Sequence, residues 1–269
     1  MIGATAILVP AVALNLWVTV LAFDRVNPND SAFPSFLTDE ASSGVEDLVA
    51  WLATVFVSFV TAVVGYFAAQ LLLGDRFGTP ISLGRGLLAT LRRIPAIFVV
   101  WLFTHWWFPL MALIVVTANS GSVFLWLFLF TFLSWFSSAA TLPVIPAMAA
   151  EGLGPWAAVT RSWGLVKLRY GLCVVFVLAA TVLSALLLVG IATLVPLLEA
   201  TGFVQLGSAD WVVQGVMVQL AVLVVVPLIA LGTAQVYLEL RLDGEGLDLM
   251  IDADAAFGPA TGPMGLGGS

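Results

Sequence analysis

The chain has 269 residues, of which 61% are hydrophobic and only 9% are charged, and its formal net charge is −7. Soluble domains carry about 25% charged residues, so this composition excludes an ordinary soluble protein and indicates a membrane protein. The excess of acidic over basic residues argues against nucleic acid as a partner. The single cysteine, Cys173, excludes an intrachain disulfide.

Six apolar stretches without Asp, Glu, Lys or Arg follow one another along the chain. Each is long enough to cross a bilayer core as a helix, which takes about 20 residues. We predict spans at Ile2–Phe23, Leu48–Leu73, Ile94–Val116, Val123–Leu142, Leu172–Leu194 and Trp211–Tyr237. The first stretch lacks the basic leader and cleavage site of a secretory signal, so we expect it to be retained. Residues 1–240 then form one transmembrane domain, and 241–269 form an acidic, then glycine-rich tail with a disordered end.

The connections between the predicted spans differ in basic residues. Connections 74–93 and 143–171, together with the tail, hold eight of the nine Lys and Arg residues, and the other one is Arg25. Basic connections stay on the cytoplasmic side of a membrane. We therefore predict that both termini are cytoplasmic and that the acidic segment Asp24–Asp47 faces outward. Arginine is far commoner than lysine, which is typical of a bacterial gene and indicates the bacterial cytoplasmic membrane.

The two basic connections resemble each other. Ile81–Arg93 and Gly152–Trp163 align at an offset of 70, and each leads into a pair of spans. Each has apolar residues at helical spacing, with Trp156 and Trp163 on one face of the second. We predict an all-α fold in which two cytoplasmic, interfacial amphipathic helices accompany the six spans as repeated helix-plus-hairpin units. These helices either only orient the bundle or bind lipid headgroups or a partner.

Three stretches resemble a family of bacterial six-span proteins. The stretches are Pro146–Trp163, Ser82–Arg93 and Tyr237–Leu249. The family is the membrane domain associated with glycerophosphoryl diester phosphodiesterases, together with its stand-alone relatives. Its phosphodiesterase reaction belongs to a separate barrel domain with a His–Arg pair and metal-binding carboxylates, so the resemblance implies no activity here. Family members usually begin with a further amphipathic helix, and this chain starts inside that region, so either the helix is absent or the start is late.

His105, the single histidine, lies in the middle of the third predicted span. An ionisable group at mid-membrane is either functional or a hydrogen-bond partner of a neighbouring helix. No second histidine and no carboxylate lies in any span, so we predict neither a metal site nor a proton relay. Amides within the spans allow interhelical hydrogen bonds or a polar path. They belong to Asn15, Gln70, Gln214, Gln219 and Gln235.

A second group of candidates lies at the predicted cytoplasmic interface. Glu151 and Arg161 are ten residues apart around the start of the second amphipathic helix, a spacing that allows an ion pair. Arg161 and its basic neighbours could also reach anionic headgroups. The complete set of candidates for function or packing is His105, Arg92, Glu151, Arg161, Trp156 and Trp163.

The sequence contains none of the common signatures of hydrolases, nucleotide-binding loops or zinc proteases. We therefore expect no enzymatic activity and no cofactor. The favoured function is a non-enzymatic membrane scaffold or partner module, in contact with the bilayer and with anionic lipid headgroups or another membrane protein. The alternative is a transporter or lipid-handling protein for a small or lipidic solute. A mid-membrane cavity lined by His105, Gln70 and Gln214 would favour transport, and a lipid-sized groove beside Trp156, Trp163 and Arg161 would favour lipid handling.

Overall fold

A computed structural model describes residues 9, 12–13, 44–76, 78–108, 123–203 and 210–246. Within residues 44–246 of this part there are seven helices, and the described residues contain no strand. The helices are α1 (Gly44–Arg76), α2 (Leu83–Thr104), α3 (Val123–Thr141), α4 (Val144–Glu151), α5 (Pro155–Val166), α6 (Tyr170–Ala200) and α7 (Asp210–Glu245). Apart from three helical residues, the predicted span Ile2–Phe23 lies outside the described residues, as does the tail after residue 246.

Five segments are long and apolar enough to cross a membrane. They are Val55–Arg76, Leu83–Thr104, Phe128–Glu151, Tyr170–Ile191 and Gln219–Glu245. The prediction of an all-helical membrane protein is therefore confirmed. The sixth span, the orientation and the repeats stay predictions.

The two basic connections fold differently. The stretch after Ser82, which was predicted as a separate interfacial helix, is the first half of one continuous helix, α2, that includes Pro95 and ends at Thr104. The second connection does form a separate helix, because α5 ends at Val166 and α6 begins at Tyr170. Proline at the first turn of α5 favours its start, since an N–H there has no partner within the helix.

α1 is the centre of the bundle. Its residues Val60, Val64 and Ala68 pack against Val226 and Ala230 of α7. Another face of α1 packs against α2 and α4. The residues of this second contact are Val63, Tyr66, Ile97, Val100, Val144 and Met148. Large apolar side chains are exposed on α3 and α6, as suits helices that face lipid tails.

α1 and α2 form a helical hairpin whose turn depends on two glycines. Gly78 has a φ of 69°, its N–H donates to Asp75 O, and the Thr79 N–H donates to Gly74 O at 2.8 Å. This is a Schellman motif, which ends a helix with a glycine in the left-handed region. A Cβ atom on Gly74 would lie 2.9 Å from the Thr79 carbonyl oxygen. The turn is therefore intolerant of side chains on its inner surface.

We predict that Gly74→Ala destabilises the protein by about 1–3 kcal/mol, because the added methyl group meets a backbone oxygen that can move only with the turn. Gly84→Ala is the matched control, since a Cβ there meets nothing within 4 Å and lies at an exposed helical position. Thermal unfolding in detergent measures both. Equal melting temperatures for the two variants would contradict this description of the turn.

Candidate functional site

Charged side chains from three helices meet at one end of the bundle, and we call Glu151, Arg161, Tyr237, Arg241 and Glu245 the charged cluster. Nε of Arg161 donates to both carboxylate oxygens of Glu151, at 3.0 and 2.9 Å. Nη2 of Arg161 donates to Glu245 Oε2 at 2.8 Å. Tyr237 Oη donates to Glu151 at 2.7 Å, and Arg241 Nε donates to Glu245 at 3.0 Å. Arg161 thus joins the ends of α4 and α7 through α5.

The charged groups of the charged cluster are paired with each other. It contains two carboxylates and two guanidinium groups, and the Arg161 and Arg241 side chains are 29% and 11% exposed. Hydrogen bonding to Glu245, and then to Glu151, raises the pKa of Arg161 above its usual range against the opposing effect of burial. Arg161 therefore stays positively charged, and the cluster has no spare charge for a ligand.

The local sequence explains how the charged cluster forms. Gly152 follows α4 with a φ of 66°, so the chain turns directly after Glu151 and returns as α5. Tyr237, Arg241 and Glu245 are spaced by four residues, which puts them on one face of α7. The structure brings together the predicted pair, Glu151 and Arg161. The three α7 residues were not predicted, although their spacing across the end of the last span was a visible signal.

The remaining interfacial candidates lie outside the charged cluster. Trp156 and Trp163 are 68% and 60% exposed, and Trp156 meets the ring of Phe103 edge-on. Arg92 is exposed. A surface groove of about 390 Å³ adjoins the charged cluster but does not include either tryptophan. Its lining residues are Glu151, Leu153, Ala157, Thr160, Arg161 and Gly164.

Three arginines project from the hairpin, and we call Gln70–Arg76 with Gly78–Arg93 the basic hairpin. Arg76, Arg85 and Arg92 are exposed, and none of them forms an ion pair or side-chain hydrogen bond with another described residue. Arg93 donates to the Gly152 carbonyl oxygen at 3.3 Å, which puts the base of the hairpin at the level of the charged cluster. Of the candidate arginines, Arg92 is thus exposed and without a partner among the described residues, whereas Arg161 is paired. Lys167, directly after α5, is likewise exposed and has no ion pair with a described residue.

A cavity of about 250 Å³ lies between the helices, and we call it the hydroxyl cavity. It is bounded by α1, α2, α3, α4 and α7, and its polar side chains are mostly hydroxyls. They belong to Ser58, Thr61, Thr104, Ser138, Thr141 and Thr233, beside the imidazole of His105. Thr104 lies eleven residues after Arg93 on α2, about 16 Å along that helix from the level of the charged cluster, whereas Pro146 and Thr233 lie only five and four residues before Glu151 and Tyr237. The cavity therefore extends inward from near the charged cluster, and its deep side is close to half of a hydrocarbon core about 30 Å thick.

The residues that line the hydroxyl cavity differ from the set His105, Gln70 and Gln214 that the sequence suggested for a transport cavity. His105 is part of it, but at the end of α2 and not in the middle of a regular helix. Gln70 does not line it, because its amide donates to Tyr66 Oη at 3.3 Å and accepts from Thr90 at 3.5 Å. The side chain of Gln214 lies outside the described residues. The hydroxyls were missed because single serines and threonines in an apolar helix give no distinct signal.

Among the described residues, no group of three or more His, Cys, Asp or Glu could hold a metal ion. The chain matches no protein-family model, no curated protein and no solved structure. The function is therefore inferred from the geometry of the charged cluster, the basic hairpin and the hydroxyl cavity.

We predict that Arg161→Met lowers the free energy of unfolding by about 1–3 kcal/mol, because Glu151 and Glu245 each lose a charged partner at a partly buried site. Arg169→Met is the control, since the Arg169–Asp243 pair is 54% and 42% exposed and should be worth about 0.5 kcal/mol. Denaturant titration in mixed micelles measures both variants. If the Arg169 variant were the less stable one, Arg161 would not be the residue that joins the helix ends.

Proposed function

We propose that the chain is a non-enzymatic module of the bacterial cytoplasmic membrane that binds anionic lipid headgroups through its basic hairpin. The observation that carries this proposal is the set of three exposed arginines without a partner among the described residues, Arg76, Arg85 and Arg92. In this function the bundle is a scaffold, held at one face by lipid and free to contact another membrane protein elsewhere.

Charge and hydrophobicity on the basic hairpin both suit the headgroup region. Leu83, Leu88 and Leu91 are 49%, 49% and 51% exposed and lie on the same helical turns as Arg85 and Arg92. A segment with exposed leucines and arginines is favourable where hydrocarbon meets the polar headgroups. Each basic residue near an anionic membrane surface contributes about 1 kcal/mol of binding. Three such residues favour anionic over zwitterionic lipid.

The charged cluster has a structural part in this function. Since its charges are paired internally, Arg161 is not available to a phosphate group. Instead it fixes α5, and with it the exposed rings of Trp156 and Trp163. Tryptophan is enriched at the boundary between headgroups and hydrocarbon. The tryptophans and the basic hairpin together support the assignment of this end of the bundle to the membrane surface.

A second candidate function is the handling of a small or lipidic solute within the membrane. The observation that favours it is the hydroxyl cavity, which lies between the helices and reaches the middle of the predicted span 94–116 at His105. The two functions use different parts of the bundle, so they are compatible and can be tested separately.

We predict that Arg76→Gln, Arg85→Gln and Arg92→Gln combined reduce the enrichment of phosphatidylglycerol at least tenfold. The reason is the loss of three charges that each contribute about 1 kcal/mol. The protein is reconstituted into vesicles of phosphatidylcholine and phosphatidylglycerol, extracted, and its retained lipids are measured by native mass spectrometry.

The matched control replaces the same three arginines by lysine, which keeps the charges and should keep most of the enrichment. High salt should weaken the enrichment of the unmodified protein, since screening shortens the reach of exposed charges. Unchanged enrichment in the glutamine variant would rule out the basic hairpin as the lipid site.

We also predict that the basic hairpin faces the cytoplasm. In a Cys173→Ala background, Thr201→Cys should react with a membrane-impermeant maleimide on intact cells, because Thr201 follows α6 at the opposite end and is exposed. Ser82→Cys, on the basic hairpin, should react only after the membrane is opened. The reverse pattern would invert the topology that the basic residues predict.

A further inference from the structure

The hydroxyl cavity has more free hydrogen-bond acceptors than donors. Thr61, Thr141 and Thr233 each donate to the carbonyl oxygen four residues earlier on their own helix, at 2.8 Å. A threonine hydroxyl has one proton and two lone pairs. Once the proton is bonded to the backbone, the oxygen can only accept. Three helices thus contribute acceptor oxygens to one cavity.

The serines of the cavity differ from these threonines, since neither Ser58 nor Ser138 donates a hydrogen bond to another described residue. Ser58 Oγ accepts from the indole N–H of Trp101 at 3.1 Å. Nδ1 of His105 lies 3.1 Å from the Trp101 carbonyl oxygen, which can only accept. Thr104 Oγ1 also lies 2.9 Å from Nδ1. Nε2 of the neutral ring is therefore an acceptor when Nδ1 bonds the carbonyl oxygen and a donor when Nδ1 accepts from Thr104. A ligand that fits this cavity needs donors for the threonine oxygens, and it can also accept from the hydroxyls of Ser58 and Ser138.

Charge and size restrict that ligand further. The cavity is lined by no charged side chain, so an ion would lose its hydration without compensation. Its volume of about 250 Å³ is near the lower end of ligand pockets, about 300 Å³, so the bound group is small. Apolar side chains such as Ala62, Ile145 and Ile229 complete the wall and suit a carbon backbone.

We infer that the hydroxyl cavity binds a neutral polyhydroxyl group, either a free polyol or the hydroxylated head of an uncharged lipid. Adjacent hydroxyls of such a group donate to the threonine oxygens and form a hydrogen bond with Nε2 of His105, while its carbon chain contacts the apolar wall. This site is separate from the basic hairpin, and it does not depend on binding of anionic lipid there.

The test uses the full chain in phosphatidylcholine nanodiscs, with glycerol and monooctanoylglycerol as probes and saturation-transfer NMR as the binding measurement. Thr61→Val, Thr141→Val and Thr233→Val remove the acceptors and keep the side-chain shape. Each lost hydrogen bond should weaken binding about fivefold, so the triple variant should bind about 100-fold more weakly. If the triple variant fails to fold, each single variant should still show its own fivefold loss.

α6 provides a matched control. Thr181 and Thr193 also donate to the carbonyl oxygens four residues earlier, at 2.8 and 2.9 Å, but they are exposed and do not line the cavity. Thr181→Val with Thr193→Val makes the same chemical change outside the site. This variant should bind both probes as the unmodified protein does.

The probes distinguish the two sources of the polyhydroxyl group. Binding of glycerol that the triple variant weakens supports a free polyol, and binding of monooctanoylglycerol alone supports a lipid head. Propan-1-ol, which has one hydroxyl, should bind at least tenfold more weakly than glycerol. Equal binding of propan-1-ol, no binding of either probe, or undiminished binding in the threonine variants would overturn the inference.

Discussion

The bridge from Arg161 to Glu151 and Glu245 is the interaction on which the charged end of the bundle depends. Charges that lie against an apolar bundle are stable only when they are paired and hydrogen-bonded. Here one guanidinium group donates hydrogen bonds to carboxylates of two helices. Tyr237 donates a further hydrogen bond to Glu151, and Arg241 donates one to Glu245. This pairing holds α5 across the bundle and, among the described residues, leaves free positive charge on the basic hairpin and at the exposed Lys167.

The distribution of polar groups divides the described part of the molecule into two levels. At the bundle end, the charged cluster is paired internally, while Arg76, Arg85 and Arg92 are exposed and have no partner among the described residues. Deeper, around the hydroxyl cavity, the polar groups are neutral, and the protons of three threonines are bonded to the backbone while their oxygens can accept. The first level suits a contact with lipid headgroups, and the second suits a neutral ligand with donors. Among the described residues, neither level contains a group of three or more His, Cys, Asp or Glu that could hold a metal ion.

Hydropathy alone predicted the membrane class and most helix positions, because a span needs only a local run of apolar residues. The spacing of Glu151 and Arg161, which flank one turn, also identified them as a possible ion pair. The continuous helix α2 was not predicted, because Pro95 and the arginines before it resemble a helix boundary. The hydroxyl cavity was beyond sequence reasoning, since it depends on which faces of five helices meet. His105 was a candidate for function or packing, and it lines the cavity from a helix end, a position that the sequence did not indicate.

The continuity of α2 also has a mechanical consequence. Arg85 and Arg92 lie in its first half, and Trp101 and Thr104 lie in its last turn, against the hydroxyl cavity. Pro95 lies between these two groups and removes one backbone hydrogen bond, so α2 can bend at this point. A pull on the arginines reaches the cavity wall to the extent that α2 keeps its angle at Pro95, and an occupant of that wall acts on the arginines through the same angle, because coupling between two sites is reciprocal.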